Sequence, residues 1–132
     1  MTIPHDEFVR SVRQQSDLET DEQARRAAIA TLETFSERVS RGAADDIAEQ
    51  LPTGVRDALY TDSSEDSEPF SPDEFLDRVE ARERELPELT QTHSRRHVEA
   101  VLTTLQDHAP EPFENAVSQL PSEYERLYEL PP

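Results

Sequence analysis

The chain has 132 residues and a formal net charge of -17, with 30 acidic residues against 13 basic ones and no cysteine. This length suits a single domain, and the lack of cysteine excludes disulfides, thiolate catalysis and cysteine-ligated zinc. Because the acidic balance offers no basic patch for nucleic-acid phosphates, nucleic acid is not an expected partner.

Two helices are predicted at the start of the chain, from about Pro4 to Gln15 and from about Thr20 to Ser40. The longer helix begins with the capping-box pair Thr20 and Gln23, and Gly42 is predicted to end it as a left-handed cap. Apolar residues recur in both helices at spacings of three and four, which is the helical period. These residues are Phe8, Val9, Val12, Ala24, Ala28, Leu32, Phe35 and Val39.

A short third helix ends at the tripeptide Gln50-Leu51-Pro52, because proline cannot continue a helix. A weaker helical turn with Val55 and Leu59 follows and completes a unit over residues 4–60. Residues 61–69 hold no side chain suited to a core, so they are interpreted as an acidic linker.

The next helix carries a complete set of start signals. Ser71 is the predicted N-cap, Pro72 takes the first helical position, and Glu74 is expected to close a capping box. Phe70 is placed to pack on Phe75 as a hydrophobic staple.

The second half of the chain repeats the first. Its first helix aligns with the earlier one at an offset of 67, and its long helix, near Thr92 to Ala109, aligns at an offset of 70. The tripeptide returns as Gln119-Leu120-Pro121, so residues 70–128 form a second unit. Two long copies do not suit a solenoid. We predict an all-α single domain over residues 1–132, a pseudo-twofold helical bundle made of two tandem copies of a three-to-four-helix unit, with the long helices at its centre.

Two arginine pairs occupy equivalent places in the long helices: Arg25, Arg26, Arg95 and Arg96. A twofold arrangement would bring the pairs near each other, where guanidinium groups bind phosphate or carboxylate. The alternative is that they pair with neighbouring glutamates on a solvated helix face. The nearest such residues are Glu22, Glu33 and Glu99.

His93 and His97 are spaced to ligate one metal ion from a single helix face. Ser94 follows His93 where the metalloprotease motif has glutamate, and His108 lies too far along the helix to join the site. We therefore predict no metal site and interpret these residues as boundary histidines beside the core. With only two glycines in the chain, no phosphate-binding loop is expected and no cofactor is predicted.

The sequence resembles the domain-of-unknown-function family 2267, which occurs in bacteria and haloarchaea. The resemblance lies in the helices led by Phe8 and Phe75, the two arginine pairs and the two Gln-Leu-Pro turns, and it covers roughly residues 5–128. Gly54 and Pro112 depart from the family pattern. The resemblance implies a fold and no catalytic site.

All basic residues other than histidine are arginine, and a strongly acidic chain without lysine resembles haloarchaeal proteins. No stretch approaches a membrane span and Met1 to Arg10 lack an apolar leader, so a soluble, cytoplasmic protein is expected. The leading hypothesis is a non-enzymatic protein-interaction module that binds a protein partner or a second copy of itself. Its C-terminal aromatic residues either seal the bundle or, if exposed, form a partner surface. The alternative is a small-molecule or anion-binding domain that uses the arginine pairs, and an enzyme is the third possibility.

The charge predicts a salt-dependent fold. The Debye length is about 3 Å at 1 M salt and about 10 Å at 0.1 M, so dilution restores the repulsion between carboxylates. We expect helicity and melting temperature, followed by far-ultraviolet circular dichroism, to fall during dialysis from molar to about 0.1 M salt. Unchanged values after dialysis would contradict salt dependence.

Overall fold

A computed structural model describes residues 4–16, 18–61, 70–85, 94–120 and 124. These ranges contain helices and no strand, so the predicted all-α class is confirmed. The helices are α1 His5–Gln15, α2 Asp21–Arg38, α3 Arg41–Ala48, α4 Thr53–Arg56, α5 Ala58–Thr61, α6 Pro72–Arg84, α7 Ser94–His108 and α8 Pro110–Val117. No helix in the described ranges is long and apolar enough to cross a membrane. Of the predicted linker, only Thr61 is described, as the last residue of α5.

The starts of α2 and α6 follow their predicted capping chemistry, with one difference. Thr20 Oγ1 accepts a hydrogen bond from the Gln23 N–H at 3.1 Å, and the Gln23 side chain accepts one from the Thr20 N–H at 3.2 Å. Ser71 Oγ accepts from the Glu74 N–H at 3.1 Å. The Glu74 carboxylate, however, accepts from Arg78 Nε at 2.9 Å, so it serves an ion pair and not the predicted capping box.

The prediction that Gly42 ends α2 is wrong. α2 ends at Arg38, and Val39 follows with extended backbone angles, φ -110° and ψ 165°. Ser40 then caps α3 by accepting from the Ala43 N–H at 3.3 Å, which places Gly42 in the first turn of α3. Neither this glycine nor any other residue of the described ranges has a positive φ.

The core lies between the two long helices, α2 and α7, and the shorter helices around them. α2 contacts α1, α5, α6 and α7, and α7 also contacts α1, α6 and α8. Phe35 stacks on Phe113 with ring centroids 6.4 Å apart, and the predicted staple forms, with the Phe70 and Phe75 rings 6.3 Å apart. Full burial of each large apolar side chain stabilises the fold by about 1.5–3 kcal/mol. The predicted stripe residues Phe8, Val9, Val12, Ala24, Ala28, Leu32, Phe35 and Val39 are all buried. Of the residues that repeat this stripe in the second half, Leu76 is half-buried, and Phe75, Val79, Val98, Leu102, Leu105 and Ala109 are buried.

A buried threonine in each long helix accepts a hydrogen bond from a helix in the other half of the chain. Thr34 Oγ1 donates to the carbonyl one turn earlier at 3.0 Å and accepts from Arg82 Nη1 at 2.6 Å. Thr104 Oγ1 donates to the carbonyl one turn earlier at 2.8 Å and accepts from Gln15 Nε2 at 3.2 Å. The two threonines align at the offset of 70, and their partners align at the offset of 67.

The first Gln-Leu-Pro tripeptide and the Gln119-Leu120 part of the second follow the ends of short helices; Pro121 lies outside the described residues. Leu51 is buried after α3, and Pro52 precedes α4. In the second copy, Gln119 reaches across to α3: the Ser40 N–H donates to Gln119 Oε1 at 3.0 Å, and Gln119 Nε2 donates to Ser40 Oγ at 3.1 Å. This turn therefore also joins α8 to the start of α3.

Tyr124 lies against one end of the bundle. It is buried, and its ring meets the Phe75 ring edge-on with centroids 6.1 Å apart. This position agrees with the predicted seal. The sequence predicts the same role for Tyr128 and Leu130, which lie outside the described residues.

Candidate functional site

The first predicted arginine pair lies on the outer face of α2, one turn after its capped start. Arg26 Nε donates to Glu22 Oε1 at 2.8 Å, and Arg25 Nη1 lies 3.5 Å from the same oxygen. Both arginines remain about a third exposed, and pairs of this kind stabilise a protein by about 0.2–1 kcal/mol. Two guanidinium groups share one carboxylate, so the three side chains together carry one positive charge.

The second pair divides between two environments at the start of α7. Arg95 is 60% exposed, and its Nε lies 3.8 Å from Glu99 Oε2 on the same helix. Arg96 instead lines a groove of about 270 Å³ between α1 and α7. The groove is completed by Gln15, Glu99, Ala100 and Thr103.

The ion pairs of Arg25, Arg26 and Arg95 all lie within their own helices. This agrees with the alternative prediction that these arginines pair with neighbouring glutamates. Glu33 departs from that expectation, because its carboxylate approaches Arg82 of α6 at 3.9 Å. Convergence of the two arginine pairs on one anion stays a prediction.

A stronger set of charges joins α2 to α6. Arg82 Nη1 donates to Glu37 Oε1 at 2.9 Å, and Arg78 Nη1 lies 3.7 Å from the same oxygen. The three side chains are less than a third exposed and line an open groove of about 280 Å³ with Ala81 and Glu85. Because Arg78 and Arg82 already form ion pairs with a carboxylate, we interpret this groove as a structural contact between α2 and α6.

The most deeply buried charged contact joins α6 to α7. His97 Nδ1 lies 2.7 Å from Glu83 Oε2, with 3% of the histidine side chain and none of the glutamate side chain exposed. His97 therefore lies inside the core, and its interpretation as a boundary histidine is wrong. Its suggested metal partner, His93, lies outside the described residues. Within those residues, no group of three ligating side chains is placed to hold a metal ion.

A sequence signal for this pair was available at Glu83. Phe75, Val79 and Glu83 follow one another at intervals of four, so the glutamate continues the apolar stripe of α6 onto the core. A buried carboxylate requires a polar partner. His97, directly before the buried Val98, supplies that partner from α7.

A family model described as an uncharacterized conserved protein, DUF2267, matches residues 5–127. The chain belongs to the DUF2267 family. This match spans both units and confirms the resemblance drawn from the paired phenylalanines, arginines and Gln-Leu-Pro turns. The comparison with curated proteins found no match.

The buried pair of this DUF2267 protein predicts an unequal response to two substitutions. Glu83→Ala should lower the free energy of unfolding by about 1–3 kcal/mol, because it leaves a buried imidazole nitrogen without its partner. Glu83→Gln keeps an oxygen in place and should cost less. Urea denaturation at fixed molar salt measures both values. Glu80→Ala, which removes a partly exposed carboxylate from the same helix, is the control. A Glu83→Ala cost no larger than that control would contradict the role of the pair.

Proposed function

We propose that this DUF2267 protein is a non-enzymatic protein-interaction module, built as a pseudo-twofold bundle of two tandem units and adapted to the high-salt cytoplasm of a haloarchaeon. The observation that carries the proposal is the matched pair of threonine contacts, Thr34 with Arg82 and Thr104 with Gln15. Residues that align between the units make corresponding contacts across the interface. This supports a twofold arrangement with one interlocked core.

A bundle of two tandem units would carry the same surface twice, once on each unit. The turn of α2 with the half-buried Arg25 and Arg26 corresponds in sequence to the turn of α7 with the exposed Arg95 and Arg96. A partner that contacts both turns binds more tightly, because once the first contact has formed the second is intramolecular. A second copy of this chain, which carries the same two turns, is an equally suitable partner.

The charge distribution supports the high-salt part of the proposal. Ion pairs form on α1, α2, α6 and α7, yet the whole chain keeps a net charge of -17. Molar salt screens the repulsion that this charge creates. The same screening removes an electrostatic barrier to association between two acidic molecules.

Two observations favour the alternative, an anion-binding domain. Arg25 and Arg26 share a single carboxylate, and Arg96 lines a groove that also contains the polar side chains of Gln15 and Thr103. Phosphate or carboxylate fits the donors in these places. This function uses the same arginines as the interaction module, so variants of those arginines test both.

The mass of the purified chain in molar salt, measured by light scattering, tests the proposal. We expect a dimer, or a complex with a protein that co-purifies, and we expect Arg25→Gln combined with Arg95→Gln to weaken it. Arg10→Gln combined with Arg41→Gln removes the same charge from other exposed sites and should have no effect.

A monomer in every preparation would contradict the interaction module. A rise in melting temperature with inorganic phosphate, present in the wild type and lost in the Arg25→Gln and Arg95→Gln variant, would then favour the anion-binding function.

A further inference from the structure

The groove between α1 and α7 has a volume of about 270 Å³ and is lined by Gln15, Arg96, Glu99, Ala100 and Thr103. Gln15 is the last residue of α1, and the other four residues lie on α7. Pockets for drug-sized ligands occupy roughly 300–1,000 Å³. The groove therefore suits a smaller molecule that contacts both helices.

The Gln15 side chain presents an acceptor oxygen at this groove. Its Nε2 donates to Ser11 Oγ at 3.0 Å and to Thr104 Oγ1 at 3.2 Å. These two bonds use both N–H donors of the amide, and Oε1 remains as its acceptor. Within the described ranges, no group donates a hydrogen bond to that oxygen.

Two residues of α7 add further acceptors. The Glu99 side chain is 20% exposed, and its Oε2 lies 3.8 Å from Arg95 Nε. Because an N–H···O hydrogen bond spans about 2.7–3.2 Å, this ion pair is loose and the carboxylate can accept from a ligand. The Thr103 hydroxyl is half-buried and has no hydrogen-bond partner in the part of the chain that the structure describes.

The groove also carries one side chain of each charge. Arg96 and Glu99 are three residues apart on α7, and residues at this helical spacing are neighbours, with Cβ atoms about 5–6 Å apart. A guanidinium has five N–H donors, so Arg96 can hold a carboxylate and still serve another acceptor. A ligand that carries both charges close together, with no net charge, fits this arrangement.

We propose that the groove between α1 and α7 binds a small free α-amino acid as its zwitterion. An ammonium group has three N–H donors, and Glu99, Gln15 and Thr103 offer three acceptors for them. The ligand carboxylate binds the Arg96 guanidinium, which can donate to both oxygens. This site requires Glu99, unlike a site for phosphate, and it does not depend on the interaction proposal.

Glycine is the probe for this site, used with the full-length, isotope-labelled chain at fixed molar salt. It should shift the backbone amide resonances of Ala100 and Thr103 in a saturable manner. Methylamine hydrochloride and sodium acetate each carry one of the two charged groups of glycine. Each should bind at least about tenfold more weakly than glycine, because it lacks one charge-assisted contact.

Substitutions in the groove separate the contributions of its acceptors. Glu99→Gln should weaken glycine binding by about tenfold or more, because it removes the charge that faces the ammonium group. Thr103→Val removes a neutral acceptor and should weaken binding less. Glu80→Gln removes the same charge as Glu99→Gln from a partly exposed position on α6 and should leave glycine binding unchanged.

The proposal is wrong if glycine moves neither amide resonance, or if Glu99→Gln and Glu80→Gln affect glycine binding equally. Binding of acetate, methylamine or inorganic phosphate as tight as that of glycine would also contradict it. In the case of phosphate, stronger binding by Glu99→Gln would identify the groove as an anion site.

Discussion

Two buried threonine hydroxyls restrict how the helices of this protein pack. Leaving a hydroxyl unpaired inside an apolar bundle costs about 1–3 kcal/mol. Thr34 and Thr104 each donate back to their own helix and accept from the first helix of the other unit. These bonds join α6 to α2 and α1 to α7, in addition to the contacts of α1 with α2 and of α6 with α7. Helices from the two halves of the chain therefore share one core.

The polar groups inside the bundle differ between the two units. The Glu83–His97 pair joins α6 to α7, whereas Ala27 takes the place of His97 in the first unit. Arg38 ends α2 in a buried aromatic frame, whereas His108 ends α7 at the corresponding position and is half-buried. The apolar pattern thus recurs in both halves of the sequence, whereas these buried polar residues do not.

Features that depend on neighbouring residues could be predicted from the sequence. Helical periodicity and the caps at Thr20 and Ser71 act over three or four positions, and the structure confirms them. The predicted helix end at Gly42 is wrong because Ser40, two residues earlier, is the N-cap of the next helix. The ion pairs of the duplicated arginines likewise follow from helical spacing, with Arg26 on Glu22 and Arg95 on Glu99.

Burial of the charged residues could not be predicted in the same way. His97 and Glu83 are separated by 14 positions, and Arg38 and Tyr124 by 86. A charged side chain normally predicts exposure. Only the tertiary fold brings each of these groups to the partner that makes burial tolerable. These buried contacts therefore appear only in the structure.

Double-mutant cycles at the threonine contacts test the interlocked arrangement most directly. Thr34→Val with Arg82→Ala, and Thr104→Val with Gln15→Ala, should each show a coupling energy of about 0.5–3 kcal/mol in the free energy of unfolding. The mismatched combinations, Thr34→Val with Gln15→Ala and Thr104→Val with Arg82→Ala, should be additive. Coupling of equal size in all four cycles, or additivity in all four, would contradict the pairing of these helices through the two threonines.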